Sequence, residues 1–350
     1  MVKRLAFAVP GDFETPTGGY AYDRRMIAEL GTLGWRVDLV GLGEGFPRPS
    51  EEQKAFAQAK LSEVGEGTPI VVDGLAFGVL PEAAKVLHAQ YPLVALVHHP
   101  LALETGLAAA DVAAMRASER KALAATQAVI ATSDTTARLL VADYGVPMGR
   151  IVVAPPGTDR VAARAIRAGG TVRLLSIGSI VPRKGYDVLI AALAEISDLP
   201  WHLTIAGDRT RNADANARLD ADIAAYKLGG RVDVLGAVSD EKIVELYSHS
   251  DVFVLASRFE GYGMAYTEAL AHGLPVIGTT GGAIPATVPQ GAGVLVPPDD
   301  VKALANALRE IITRSDKRDS LAAAARESAE KFPTWRDSAK LFARAIEAVA

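Results

Sequence analysis

The sequence predicts an α/β protein of two doubly wound domains, each a parallel sheet flanked by helices. Three observations carry this. Short apolar runs alternate with amphipathic, helix-length stretches along nearly the whole chain. The runs are apolar throughout instead of alternating with polar residues, as expected of parallel strands covered on both faces. The alternation also halts at a stretch bounded by prolines and glycines and then restarts. That suits two units better than one twisted sheet, which rarely exceeds about 10 strands.

In the first set the strand-like runs are Leu5 to Val9, Val37 to Leu42, Pro69 to Val72, Val94 to Val97, Ala128 to Ala131 and Ile151 to Ala154. Helical stretches such as Gly19 to Leu33 and Ala108 to Ala125 lie between them. The second set runs through Val172 to Ile177, Leu203 to Ala206, Val232 to Leu235, Val252 to Leu255, Pro275 to Gly278 and Val294 to Val296. Strands alternating with helices imply βαβ units. The stretch PPGTDRVAARAIRAGG between the sets reads as the interdomain connection. Residues 1–165 are assigned to the first domain and 166–330 to the second. In the last segment, 331–350, Trp335, Ala339, Phe342 and Ile346 share one helical face. Pro333 separates this helix from the one before, so it is expected to cross back onto the first domain.

Composition narrows the function. The chain has 350 residues, 49% hydrophobic and 22% charged, with a formal net charge of -4. No basic excess exists to drive nucleic-acid binding, and at most peripheral membrane contact is expected. There is no cysteine, so disulfides, thiolate metal sites and a cysteine nucleophile are ruled out. The N-terminal apolar run is too short for a signal peptide and an acidic segment follows it. No run approaches the length of a membrane span. The expected location is the cytoplasm, including the inner face of the cell membrane if the substrate is lipid-linked.

The segment DVFVLASRFEGYGMAYTEALAHGLPVIGTT, residues 251–280, carries the most chemistry. A buried strand leads into a loop containing Glu260, Gly261 and Gly263, and a helix starts near Met264. Glycines let the backbone approach a ligand, and the first helical turn offers unpaired N–H groups at a positive dipole end, together an anion site. Glu268 lies just past that turn, placed to accept hydrogen bonds from a ribose. Glu260 in the loop is placed to accept from sugar hydroxyls. Glutamate is favourable near any helix N-terminus, so the spacing gains force only from the strand, glycine loop and helix around it. In LLSIGSIVPRKGYDVLIAAL a strand ends at Gly178 and a helix starts near Tyr186. Arg183 and Lys184 between them lie at the carboxyl end of a strand, where open α/β sheets bind ligands. Such a pair suits a diphosphate, Arg as a bidentate donor and Lys as a point charge.

E-G-Y-G-M-A-Y-T-E, from Glu260 to Glu268, resembles the E-x7-E element of family 4 retaining glycosyltransferases, and the resemblance extends over essentially the whole chain. It implies the GT-B fold, two Rossmann-like domains facing each other across a cleft, and a hexosyltransferase-type enzyme. The second domain is then expected to bind a nucleotide-diphosphate sugar through Gly178, Val238, Gly261, Tyr262, Gly263, Met264, Ala265 and Glu268. Arg183, Lys184 and Glu260 are the expected catalytic residues there. Val238 follows a strand where the family holds the base. Gly18 and Gly19, between the first strand and a helix, resemble glycines that face the donor. His98 and His99 end a buried strand, where the family carries a histidine that contacts the transferred sugar. Successive strand side chains point to opposite faces, so the two are not expected to share a metal, and either one could serve. Glu104, just beyond, is a candidate for the acceptor.

The resemblance further implies retention of anomeric configuration by front-face displacement. There is no Asp-x-Asp element and no converging His/Asp set is expected, so two cations are expected in place of a metal, and no cofactor is called for. The acceptor is left open among a lipid-linked intermediate, a growing polysaccharide and a small molecule, with cell-envelope glycan favoured. One departure stands out: Ala286 occupies a place where many relatives are acidic, which puts in doubt the acceptor contact an acid would make there. The alternatives are a nucleotide-sugar epimerase or glycan phosphorylase on the same fold, or a non-catalytic nucleotide-binding subunit. A dehydrogenase is disfavoured because neither domain carries G-x-G-x-x-G.

Overall fold

Strands form at the apolar runs. The computed structural model describes residues 3–161 and 170–350. The first sheet contains β1 (Lys3–Val9), β2 (Trp35–Gly41), β3 (Ile70–Asp73), β4 (Leu93–Val97), β5 (Ala128–Ala131) and β6 (Ile151–Val153). The second contains β7 (Val172–Ile177), β8 (Trp201–Ala206), β9 (Val232–Val234), β10 (Val252–Val254), β11 (Val276–Thr279) and β12 (Gly293–Val296). The strand orders are β2-β1-β3-β4-β5-β6 and β12-β11-β10-β7-β8-β9, and every pairing is parallel. The chain therefore forms two sheets and not one.

Burial follows position in the sheet. Every residue of β3, β4, β5, β10 and β11 is buried, whereas edge strands β2 and β6 are partly exposed. Helices cover both faces of the central strands, so those strands need no polar side. β8 begins at Trp201, earlier than the apolar run at Leu203. Trp201 is 1% exposed, its indole donates to the Ile196 carbonyl at 2.9 Å, and the Arg231 guanidinium lies 3.8 Å from its ring. A satisfied indole and a cation on the ring face let a large residue open a buried strand.

Each sheet reverses its winding once. The first does so between β1 and β3, the second between β7 and β10. Loops at the carboxyl ends of strands diverge at such points and leave room for a ligand.

The chain divides into two compact units: one runs up to Gly157 and takes in Pro333–Ala350, and the other is Thr158–Phe332. The boundary expected at 165/166 lies outside the described residues. The last helix, Trp335–Glu347, is capped by Thr334 and buries Trp335, Ala339, Phe342 and Ile346 in the first unit. Phe342 stacks on Phe7 of β1, with centroids 6.1 Å apart. Gly157 has no room for a side chain, because a Cβ would run into the Trp335 backbone. In the second unit, Arg160 donates to the carbonyls of Ala329, Glu330 and Phe332, beside the point where the chain leaves. Among the described residues, no helix is long and apolar enough to cross a membrane.

Candidate functional site

The second unit brings Arg183, Lys184 and Glu260 together at the β7/β10 reversal. β7 ends at Ile177. After Gly178 the chain makes a short turn, Pro182–Lys184, and Gly185 at φ +65° launches the helix Tyr186–Ala194. The turn is held from several sides. The Tyr186 hydroxyl donates to the Gly178 carbonyl at 2.7 Å, and the Arg258 amide donates to the Arg183 carbonyl at 2.8 Å. Arg258 also pairs with Asp187 at 2.8 Å and Asp299 at 2.7 Å.

Because β10 lies beside β7, the loop after β10 meets this turn. Glu260 lies in that loop and is 6% exposed. Its Oε1 accepts from Lys184 Nζ at 2.7 Å and Ser257 Oγ at 2.6 Å, and its Oε2 from Arg183 NH1 at 3.2 Å. Arg183 also donates to the Phe259 carbonyl at 2.9 Å. Burial opposes the charge of Glu260, but Lys184 and then Arg183 overcome it and hold the carboxyl at about 2. The carboxylate thus anchors two cations whose side chains are each 14% exposed. The paired glycines Gly281 and Gly282 back the loop, since a Cβ on Gly282 would meet the Glu260 main chain.

The loop ends at Gly263, at φ +96°, and the helix Met264–Ala271 begins without a side-chain cap. Tyr262 and Ala265 flank this start, and the Tyr262 carbonyl accepts from Thr287 Oγ1 at 2.6 Å. Glu268, one turn in, accepts from the Tyr247 hydroxyl at 2.9 Å. Val238 is half-buried in the loop between β9 and the helix Asp240–His249. Ala286 is exposed on the short turn Ile284–Thr287. The arrangement offers an uncapped helix start, two cations and a carboxylate within one loop cluster, the requirements of a diphosphate attached to a ribose.

The first unit has its own cluster at carboxyl strand ends. Gly18 and Gly19 form the first turn of the helix Gly18–Thr32, capped by Thr17. A Cβ on Gly19 would lie 3.4 Å from the His98 ring, so the glycine lets the helix rest on that imidazole. His98 Nε2 is 3.1 Å from Asp23 Oδ1 and 3.4 Å from Asp73 Oδ2. His99 pairs instead with Glu104 at 3.4 Å. The two histidines thus face different partners, and it is His98 that meets Gly19.

Asp23, Asp73 and His98 correct the expectation that no His/Asp set converges. One ligand-type atom from each lies within 4.8 Å of the others. They come from a helix, from the end of β3 and from just beyond β4, so only the fold unites them. Burial disfavours a charged imidazole, but Asp23 and then Asp73 outweigh it and raise His98 to about 10. Burial likewise raises Asp23 to about 7, against the pull of His98, and its Oδ2 is buried without a hydrogen-bond partner. With a neutral His98 the three are near enough to share a small cation; as an imidazolium, the form that Asp23 and Asp73 favour, His98 itself supplies the positive charge at that point. Asp73 ends an apolar run, the same cue that marked Arg183. Asp23 has no such signal in a charge-rich helix.

Two family models match the chain. One, described as Glycosyl transferases group 1, covers residues 167–328, and the other, Glycosyltransferase Family 4, covers residues 70–161.

The chain belongs to glycosyltransferase family 4.

This family 4 chain is similar to the D-inositol 3-phosphate glycosyltransferase of Rhodococcus jostii, with 31% identity over 270 residues, 70% of this chain and 59% of the relative. The protein of the same name from Geodermatophilus obscurus is 32% identical over 252 residues, 66% of this chain and 55% of the relative. The chain thus spans about six-tenths of the length of these relatives. Among solved structures, sucrose-phosphate synthase from Thermosynechococcus elongatus superposes with a TM-score of 0.81 at 22% identity, covering 99% of each chain. HepE of Anabaena, solved with UDP and glucose, has a TM-score of 0.77 at 18% identity, covering 99% of this chain and 100% of its own. At such identities the likeness establishes fold alone. That fold is GT-B, built of two Rossmann-like units.

Proposed function

We propose that this family 4 chain transfers a sugar from a nucleoside-diphosphate sugar to an acceptor hydroxyl with retention of configuration. The observation that carries the reading is the Arg183–Lys184–Glu260 cluster beside the uncapped start of the helix Met264–Ala271. Two cations and a helix N-terminus stabilise the charge that develops on a departing diphosphate. The bond from the anomeric carbon to the diphosphate breaks and a bond to the acceptor oxygen forms. The acceptor proton leaves with the diphosphate. Glu268 takes the ribose, Val238 the base, and Gly178 and Gly261 bring main chain close to the donor. In the first unit, Gly18, Gly19 and His98 serve the sugar, while His99 and Glu104 serve the acceptor.

The names of the relatives support a small phosphorylated polyol or sugar as acceptor, beside the cell-envelope glycan that the sequence favours. A melting-temperature panel of UDP-, GDP- and ADP-sugars identifies the donor, because a ligand that binds the folded state raises the transition. Transfer is then assayed with inositol phosphate, a hexose phosphate and a lipid-linked glycan. The anomeric coupling of the product is read by NMR. Inversion would overturn the mechanism, and no shift with any nucleotide sugar would overturn the function. With Arg183 and Lys184 on the diphosphate, turnover is expected to survive EDTA. Loss in EDTA with recovery on adding Mg²⁺ or Mn²⁺ would assign the charge to a metal instead.

A further inference from the structure

Tyr247 belongs to the helix Asp240–His249, is 1% exposed and has no part in the chemistry proposed above. Its hydroxyl lies 2.9 Å from Glu268 Oε2 and 3.2 Å from the Ala265 carbonyl oxygen. A phenol carries one proton, so a single O–H is shared between a side chain and a main-chain group of the helix Met264–Ala271. The ring is also held. It stacks on His272 at 4.9 Å with 17° between planes, and lies 6.1 Å from Phe253 of β10. His272 closes the same helix at its C-terminal end. Tyr247 therefore touches the helix in its first turn, at Glu268 and at its close. Burial and the neighbouring carboxylate raise the phenol well above its usual range, which keeps it a donor.

We propose that Tyr247 is a positioning residue for nucleotide recognition: its hydroxyl, steadied by the Ala265 carbonyl of the same helix, sets the Glu268 carboxylate in one arrangement, so that the ribose acceptor is ready before the nucleotide binds. A free glutamate on a surface helix samples several rotamers and loses that freedom when it binds. The Tyr247 bond removes the loss in advance. The inference rests on the reading of Glu268 as the ribose partner.

The test separates the two. UDP, GDP and ADP are titrated calorimetrically into the wild type, and the tightest binder is carried forward with its 2′,3′-dideoxy form. Tyr247→Phe keeps the ring and its stack and removes one hydroxyl. Its affinity for the nucleoside diphosphate should fall about tenfold, the lower end of what outer partners of a ligating group contribute. Affinity for the dideoxy form should stay near wild type. In the transfer assay KM for the donor should rise while kcat changes little. Glu268→Gln is the control. If it binds the nucleotide as the wild type does, or if no nucleotide binds the wild type, the ribose reading fails and takes the inference with it. If Glu268→Gln weakens binding and Tyr247→Phe does not, the positioning role alone is overturned. Equal losses for both nucleotide forms in Tyr247→Phe would make the hydroxyl a support of the fold and would also overturn it.

Discussion

Glu260 is a buried carboxylate between Lys184 Nζ and Arg183 NH1, and its charge is the main electrostatic fact of the second unit. Arg183→Ala or Lys184→Ala should each lose about 2–4 kcal/mol of transition-state stabilisation, the usual cost of one preorganised donor. Steady-state kinetics on folded variants checks this, and unchanged turnover in both would remove the clamp from the mechanism. Glu260→Gln keeps an acceptor oxygen in the seat of the two cations and removes only its charge, so it should lower turnover while leaving binding of the bare nucleoside diphosphate near normal. The same carboxyl links stability to pH. Its folded value, about 2, lies below that of the unfolded chain. Its contribution, about 3 kcal/mol, is therefore full above the unfolded value and fades as pH falls towards 2. Urea midpoints between pH 6 and 2.5 should drop for the wild type and stay flatter for Glu260→Gln. His98, held near 10 by Asp23 and Asp73, should show no imidazole titration between pH 6 and 8 by NMR, and Asp73→Asn should bring its titration towards that range.

At the scale of the element, the turn Pro182–Lys184 is set by Gly185. Its φ of +65° disfavours any side chain, and a Cβ would enter the carbonyl oxygen of Ala256, which is main chain and cannot swing aside. Gly34 has φ +85° but open space around it. The pair separates backbone strain from clash. Gly34→Ala should cost about 1–2 kcal/mol, the left-handed penalty alone. Gly185→Ala should cost clearly more and should also weaken nucleotide binding, because it displaces Arg183 and Lys184. Denaturant melts of both variants decide the matter. Equal losses would mean that the Ala256 loop yields freely.

On the scale of the whole molecule, the last helix belongs to the unit that the chain left at Gly157. Phe342, fully buried, stacks on Phe7, so Phe342→Ala should cost about 3–5 kcal/mol. Hydrogen exchange should show the loss in β1, β5 and β6, with β7 to β12 nearly unchanged. Faster exchange spread evenly over both sheets would show that the units unfold as one.

Much of the molecule was legible in the sequence, because parallel strands must be apolar on both faces. The runs at Leu5, Val94, Val172 and Val252 could take few other forms, and the glycine-punctuated segment from Glu260 to Glu268 marked the loop and helix that follow β10. Side-chain partners were not legible, because the groups that meet come from distant elements. The loop position of Glu260 is plain in the sequence but its partners are not: 76 residues of separation collapse when β10 is laid beside β7, and the carboxylate closes on Lys184. No spacing rule joins Asp23, Asp73 and His98, which are brought together only by the order of β1, β3 and β4 in the sheet. Local sequence determines which stretches are strands, helices and turns, since propensity and hydrophobic period act over a few residues. Strand order is a property of the assembled sheet, and it alone decides which charges share a dry environment, and hence how they ionise.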